Sequence, residues 1–214
     1  MTRTILNVCL LALAPLMVSC GGKIRYSQYY TLELAPTPGP AAGDPPGIGT
    51  VAVSPFGTSA YLRQGRIVYR EAPNEIAFYE YHRWAADPGA TVTTAMIETL
   101  RSSGPFSLVE RYDIHDKSEY LMTGRLERLD EVDYGGGVRV EAKLSAQVVS
   151  LRTGSAVWVG DAAETSTVEP RTLNSVVAAM STAVQSCIDQ LTASMQQKLA
   201  GGAPASSGLR PPAP

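Results

Sequence analysis

The chain has 214 residues, with 18 basic and 20 acidic side chains and a formal net charge of −2. That balance excludes the basic footprint of a nucleic-acid binder. The length past the N-terminal apolar run suits one domain with a real core and is short for two.

In chain order, Arg3 supplies a positive start and residues 5–18, "ILNVCLLALAPLMV", form an apolar run broken only by Asn7. The run falls short of the roughly 20 residues that a membrane-spanning helix needs, so it reads as an export signal. Small Ser19 then precedes Cys20. The junction resembles the lipobox of bacterial lipoproteins, with Met17 where leucine is usual. In that class the chain is cut before the cysteine, whose thiol and new amine are acylated. The alternative is a plain secretory signal that leaves Cys20 as an incidental thiol. Loss of residues 1–19 would take the net charge to −3 and leave Cys187 as the one other cysteine, so no internal disulfide is expected. Cys187 falls on the apolar side of a predicted helix, where a small buried hydrophobe is the expected role.

Residues 20–47 are expected to be a lipidated N-terminus, a short strand at 29–34 ("YYTLEL") and a linker rich in Pro, Gly and Ala at 35–47. The main domain is expected over 48–200. It opens with a strand at 48–56 that sets Val51 and Val53 on one face. Strands at 66–70 and 75–84, with "APN" between them, predict a hairpin. Asp87 followed by Pro88 is a helix start, and Val92, Ala95, Met96, Thr99 and Leu100 keep helical spacing until "SGP". After "FSLVER" comes a strand within 119–132. In "VRVEAKLSAQVV" Val138, Val140, Ala142, Leu144, Ala146 and Val148 alternate with Arg139, Glu141, Lys143, Ser145 and Gln147, the pattern of a half-covered antiparallel strand. "RTGS" leads to a partner strand carrying Trp158. Residues 172–199 predict one long helix, its stripe running from Leu173 through Met180, Cys187 and Ile188 to Leu199. The tail, 201–214, has no periodicity and is expected to be disordered.

Catalytic signatures are sparse. The chain has no phosphate-binding P-loop, GxSxG elbow, HExxH or paired CxxC. His82 sits in an aromatic strand, and His115 sits in a polar loop with Asp113, Asp116 and Glu119 whose spacing fits no calcium loop. No enzyme activity, no cofactor beyond acyl chains on Cys20, and no bound metal are expected. "GGG" at 135–137 reads as a turn between strands.

Taken together, the lipobox, "YYTL", "VAVSPF", "AYLRQGRIVYR", "YEYHRWAADPGATVTTAMIETLRSSGPFSLV", "YLMTGRLERLD" and the closing helix resemble the auxiliary lipoproteins of bacterial ABC-type transport systems, over roughly residues 28–199. "RIVYR" and "RW" are the most telling, whereas the linker and tail depart from the pattern. The resemblance implies an accessory role in moving lipids or other hydrophobic compounds across the envelope. Its implied partners are an ATPase, a permease and an MCE-domain protein. Gly21 and Gly22 lack the aspartate that retains enterobacterial lipoproteins in the inner membrane, which points to the outer membrane, facing the periplasm. A homo-oligomer stays open. The expected fold is a single α/β domain, a mixed and largely antiparallel sheet packed by two main helices. It also resembles the domain of curli-secretion lipoproteins and TolB-like proteins, so a role in envelope assembly or secretion is the alternative. An envelope hydrolase has scattered acids alone in its favour.

Contact residues for a partner are expected in two groups that mix aromatic anchors and cations. One is Tyr61, Leu62, Arg63 and Arg66; the other is Arg83 and Trp84 with Tyr79 and Tyr81.

Overall fold

A computed structural model describes residues 25–35, 47–114 and 117–200. Cys20, most of the linker, His115, Asp116 and the tail lie outside the described residues, and so do the expectations placed on them.

The elements, in chain order, are β1 (Gln28–Tyr30), β2 (Thr50–Val53), β3 (Gly57–Thr58), a 3-10 turn (Leu62–Gln64), β4 (Arg66–Arg70) and β5 (Ala77–Trp84). Helix α1 (Pro88–Ser103) follows, then β6 (Leu108–Arg111), β7 (Tyr120–Val132), β8 (Arg139–Ser150), β9 (Ala156–Thr167) and helix α2 (Leu173–Ala200). The nine strands form one mixed sheet. β7 is its spine. One side of β7 pairs antiparallel with β8 along its whole length, and β8 pairs antiparallel with β9. The other side is shared by three parallel neighbours: β2 at Tyr120–Met122, β3 at Arg125–Leu126 and β4 at Glu131–Val132. β6 extends the sheet beyond β2, and β5 then β1 extend it beyond β4.

Local chemistry sets most of these boundaries. The Asp87 carboxylate accepts from the Ala90 N–H at 2.9 Å and Pro88 occupies the first turn, where its missing N–H costs nothing. Thr172 caps α2, its Oγ1 accepting from the Ser175 N–H at 3.2 Å. Inside α2, Val176, Met180, Val184, Cys187, Ile188, Leu191 and Met195 are buried, each of the larger side chains contributing about 1.5–3 kcal/mol by leaving water. They cover the inward row of β8, Val140 through Val148, which is buried throughout. α1 buries its expected stripe from Val92 to Leu100 and packs on α2. Among the described residues no helix is long and apolar enough to cross a membrane.

Two expectations shift. The first strand stops at Tyr30, because the chain beyond it turns onto α2: Leu32 is buried and the Glu33 N–H donates to Ser181 Oγ at 3.0 Å. Since β1 pairs with β5, this segment belongs to the sheet and not to a tether ahead of it. In β2, Ala52 is buried along with Val51 and Val53, as befits a parallel strand held between β6 and β7.

A β-bulge in β7 decides which side chains face out. Leu126 pairs with Leu144, but Arg128 pairs with Lys143, so Glu127 is the extra residue. Upstream, even-numbered Met122 and Leu126 point into the core; downstream, Leu129 does, while Arg128 and Asp130 pair with Lys143 and Glu141 on the helix-free face. Were Glu127 to take a regular place in the ladder, with no bulge, Arg128 and Asp130 would point inward. Near the other end of β7, Gly124 lets the Phe56 ring lie against the backbone, since a Cβ there would overlap the ring. Gly124→Ala is expected to destabilise the fold by about 1–3 kcal/mol through overpacking. A shift in urea midpoint at constant slope is the measurement, and an unchanged midpoint would show that the ring moves aside freely.

Candidate docking site

The residues expected to make contacts divide by burial. Leu62 is 1% exposed and Trp84 7% exposed. Both are therefore core residues and not contact residues, a correction to the sequence reading. Leu62 opens the 3-10 turn, and Gly65 (φ +67°) ends it in the left-handed region that glycine adopts without strain. The Gly65 carbonyl then accepts from the Trp84 N–H at 2.9 Å. This bond ties the turn to β5.

Tyr61 is half-buried and engaged. Its hydroxyl donates to the Glu127 carbonyl at 3.3 Å and its ring lies 5.8 Å from the Arg70 guanidinium. Burial, with Asp130 nearby, pushes its hydroxyl up to about 12. Asp130 itself is fully buried. Its Oδ2 accepts from Arg70 at 2.6 Å and Arg128 at 3.0 Å, while Oδ1 is buried without a hydrogen-bond partner among the described residues. Arg128 continues to Glu141 at 2.7 Å, and Arg139 reaches the same carboxylate at 3.1 Å. Sequence reasoning missed this network, which fastens the 59–65 segment and β4 to the spine. Arg63 is exposed and donates to the Thr58 carbonyl at 3.3 Å.

Across the sheet from β4 lies an aromatic set. The Tyr79 hydroxyl donates to Glu131 Oε2 at 2.8 Å, its ring stacks edge-on to His82 at 5.5 Å, and the Tyr30 hydroxyl meets His82 Nδ1 at 3.1 Å. Burial raises the Glu131 carboxyl above its ordinary value, with the Tyr79 hydrogen bond pulling the other way. Tyr79 and Glu131 also line a recess of about 180 Å³ with Asp133 and Arg171. These contacts fasten β1 and β5 onto the domain. Cys187 is buried, Sγ 3.9 Å from the Ala142 carbonyl oxygen, and burial, with Glu164 nearby, pushes its thiol up to about 12.

Arg66 and Arg83 behave differently. They face each other directly across the β4–β5 ladder, and Arg83 is in turn paired with Tyr29 of β1. Cross-strand partners share a face, so Tyr29, Arg83 and Arg66 form one row on the side opposite Trp84. Like charges placed directly opposite destabilise a ladder, yet neither guanidinium has a hydrogen bond or ion pair among the described residues. Tyr29 is 65% exposed. Beside the row, the Arg25 guanidinium sits 5.7 Å over the Tyr81 ring. The sequence signal for Arg66 and Arg83 was their place in "RIVYR" and "RW"; nothing in the linear chain aligned Tyr29 with them. The row thus sets two arginines without a counter-charge among the described residues beside an exposed tyrosine.

The domain described above is similar to several solved structures. Protein XCC0632 from Xanthomonas campestris superposes with a TM-score of 0.71 at 18% identity, covering 82% of this chain and 98% of that one. An uncharacterized protein gives 0.60 at 12% identity, covering 82% and 99%. The hypothetical protein CT253 from Chlamydia trachomatis gives 0.51 at 10% identity, covering 72% and 98%. At these identities the likeness is one of fold. No curated protein matches the sequence. A family profile, however, matches residues 30–200, taking in β2 to β9 and both helices. With that match, the chain belongs to the family of ABC-type transport auxiliary lipoprotein components.

Proposed function

We propose that this chain is a non-catalytic accessory subunit of an MCE/ABC-type system that moves lipids or other hydrophobic compounds between envelope membranes, and that its Arg66–Arg83–Tyr29 row docks an anionic partner group. Membership of the family makes it a membrane-anchored envelope protein associated with ABC-type transport. The finer reading places the anchor on Cys20, as acyl chains in the outer membrane, with the domain facing the periplasm. Three chains hold durably where one holds marginally, since each buried methylene contributes about 0.8 kcal/mol.

The observation that carries this reading is the reach of the family match, which starts ten residues after the lipobox cysteine and runs to the end of α2. The uncompensated arginine pair supports a binding role for the row. The test is a tagged full-length chain expressed in its host. It should fractionate with outer membrane and bring down the MCE protein and permease of its own operon, while Cys20→Ser should leave the domain folded and shift it out of that fraction. A Cys20→Ser chain that still sediments with outer membrane would sink lipid tethering. Recovery of secretion-pore subunits in place of the permease would favour an assembly role.

A further inference from the structure

The anionic partner of the Arg66–Arg83–Tyr29 row has a chemistry that the geometry identifies. We infer that the row is the face by which the domain lies on its own membrane, the two guanidiniums meeting phosphate oxygens of anionic phospholipid headgroups and the tyrosines sitting at headgroup level. This inference rests on the proposed acylation of Cys20.

Chain length is the first argument. Arg25 stands five positions past Cys20, a reach of at most roughly 18 Å, and β1 begins at Gln28, within roughly 29 Å of the anchor. β1 is paired into the sheet beside β5, so it cannot swing away from the domain. Whatever surface β1 belongs to is therefore held near the bilayer. That surface is the row of Tyr29, Arg83 and Arg66, with Arg25 and Tyr81 next to it.

Charge complementarity is the second. The chain is net acidic, so an anionic membrane repels it on average and a local cationic face decides its orientation. Within this face Arg66 and Arg83 carry no counter-charge; the nearby carboxylate, Glu80, stands beside the Tyr81 hydroxyl. The placement side by side of two arginines costs the sheet stability, and a phosphate oxygen between them removes that cost. Tyrosine is the third element. Its ring suits the membrane–water interface, with the hydroxyl in water and the ring among headgroup carbons. Tyr29 supplies such a ring, 65% exposed. The acyl chains already retain the protein, so the row sets orientation: it lays the β1–β5–β4 wing on the bilayer and leaves the β7–β8–β9 meander available to periplasmic partners.

The test uses the mature acylated protein bound to vesicles of phosphatidylcholine alone or mixed with phosphatidylglycerol, with hydroxyl-radical labelling of tyrosines read by mass spectrometry. Tyr29 and Tyr81 should be protected on the mixed vesicles relative to neutral ones, while exposed Tyr112, on the far strand β6 side, labels equally on both. Arg66→Gln with Arg83→Gln should abolish the protection. At roughly fivefold per arginine, the ratio of docked to free orientation falls roughly 25-fold. The variant should keep the parent's thermal midpoint or exceed it, because neither side chain holds a structural contact. Equal labelling of Tyr29 and Tyr81 on both vesicles, or protection that survives in the double variant, overturns the inference. Failure to co-sediment with either vesicle removes acylation and this inference together; co-sedimentation with equal labelling removes this inference alone.

Discussion

Asp130→Ala is expected to lower the unfolding free energy by about 3 kcal/mol, among the largest effects of any single charge change in the domain. The carboxylate has no exposed surface and receives Arg70 and Arg128 on one oxygen. Its removal leaves the Arg70 guanidinium beside Tyr61 without its carboxylate, and Arg128 with Glu141 alone. Breaking a buried pair by deleting one partner costs about 3–5 kcal/mol. The lower end applies here, because the Arg128 side chain keeps 33% of its surface in water and the Arg70 side chain 13%. Asp130→Asn should be milder, since the amide oxygen still accepts one of the two donors. Urea denaturation of both variants measures the difference. A loss under about 1 kcal/mol for Asp130→Ala would mean that water replaces the carboxylate cheaply and that the network is incidental.

Trp84→Ala should cost about 3–5 kcal/mol, with a fall in melting temperature of roughly 6–20 °C for a domain of this size. The indole is 7% exposed and belongs to the same core as Ile67, Val68 and Leu62. A contact residue would behave in the opposite way, losing partner affinity at unchanged stability. Circular dichroism melting separates the two, and an unchanged melting temperature would return Trp84 to the surface. Its neighbour Arg83, one position along the same strand, should show the contact pattern. That inversion between adjacent residues follows from the two-residue period of a strand.

The same period explains how far the chain could be read in one dimension. Alternation in residues 138–148 defined β8, its buried row and the antiparallel character of the meander, because each side chain's face follows from its own position. Helical spacing located both helices to within a residue or two, and Asp87 with Pro88 marked the start of α1 through a local bond. Both helices and the antiparallel run of β8 with its neighbours were thus legible. The parallel pairings of β7 with β2, β3 and β4 were not, since they join segments far apart in sequence and carry no local mark. The partial failure at the site has a similar cause. Tyr61, Leu62, Arg63, Arg66, Arg83 and Trp84 were grouped by composition, and composition mixes the two faces of a strand. The structure separates them: Leu62 and Trp84 in the core, Tyr61 and Arg63 bonded to nearby carbonyls, Arg66 and Arg83 uncompensated on one face.

What the sequence determined by itself is therefore whatever rests on near neighbours: the start of α1 at Asp87 and Pro88, the facing of β8 and the long stripe of α2. Tertiary structure alone decided the partners. It brought Tyr29, Arg83 and Arg66 into one row, set Asp130 between two arginines, and used a bulge at Glu127 to turn Arg128 and Asp130 away from the helices. The physical reason is that register between strands is a long-range choice, made by the packing of the whole core, and each cross-strand pair inherits its chemistry from that choice.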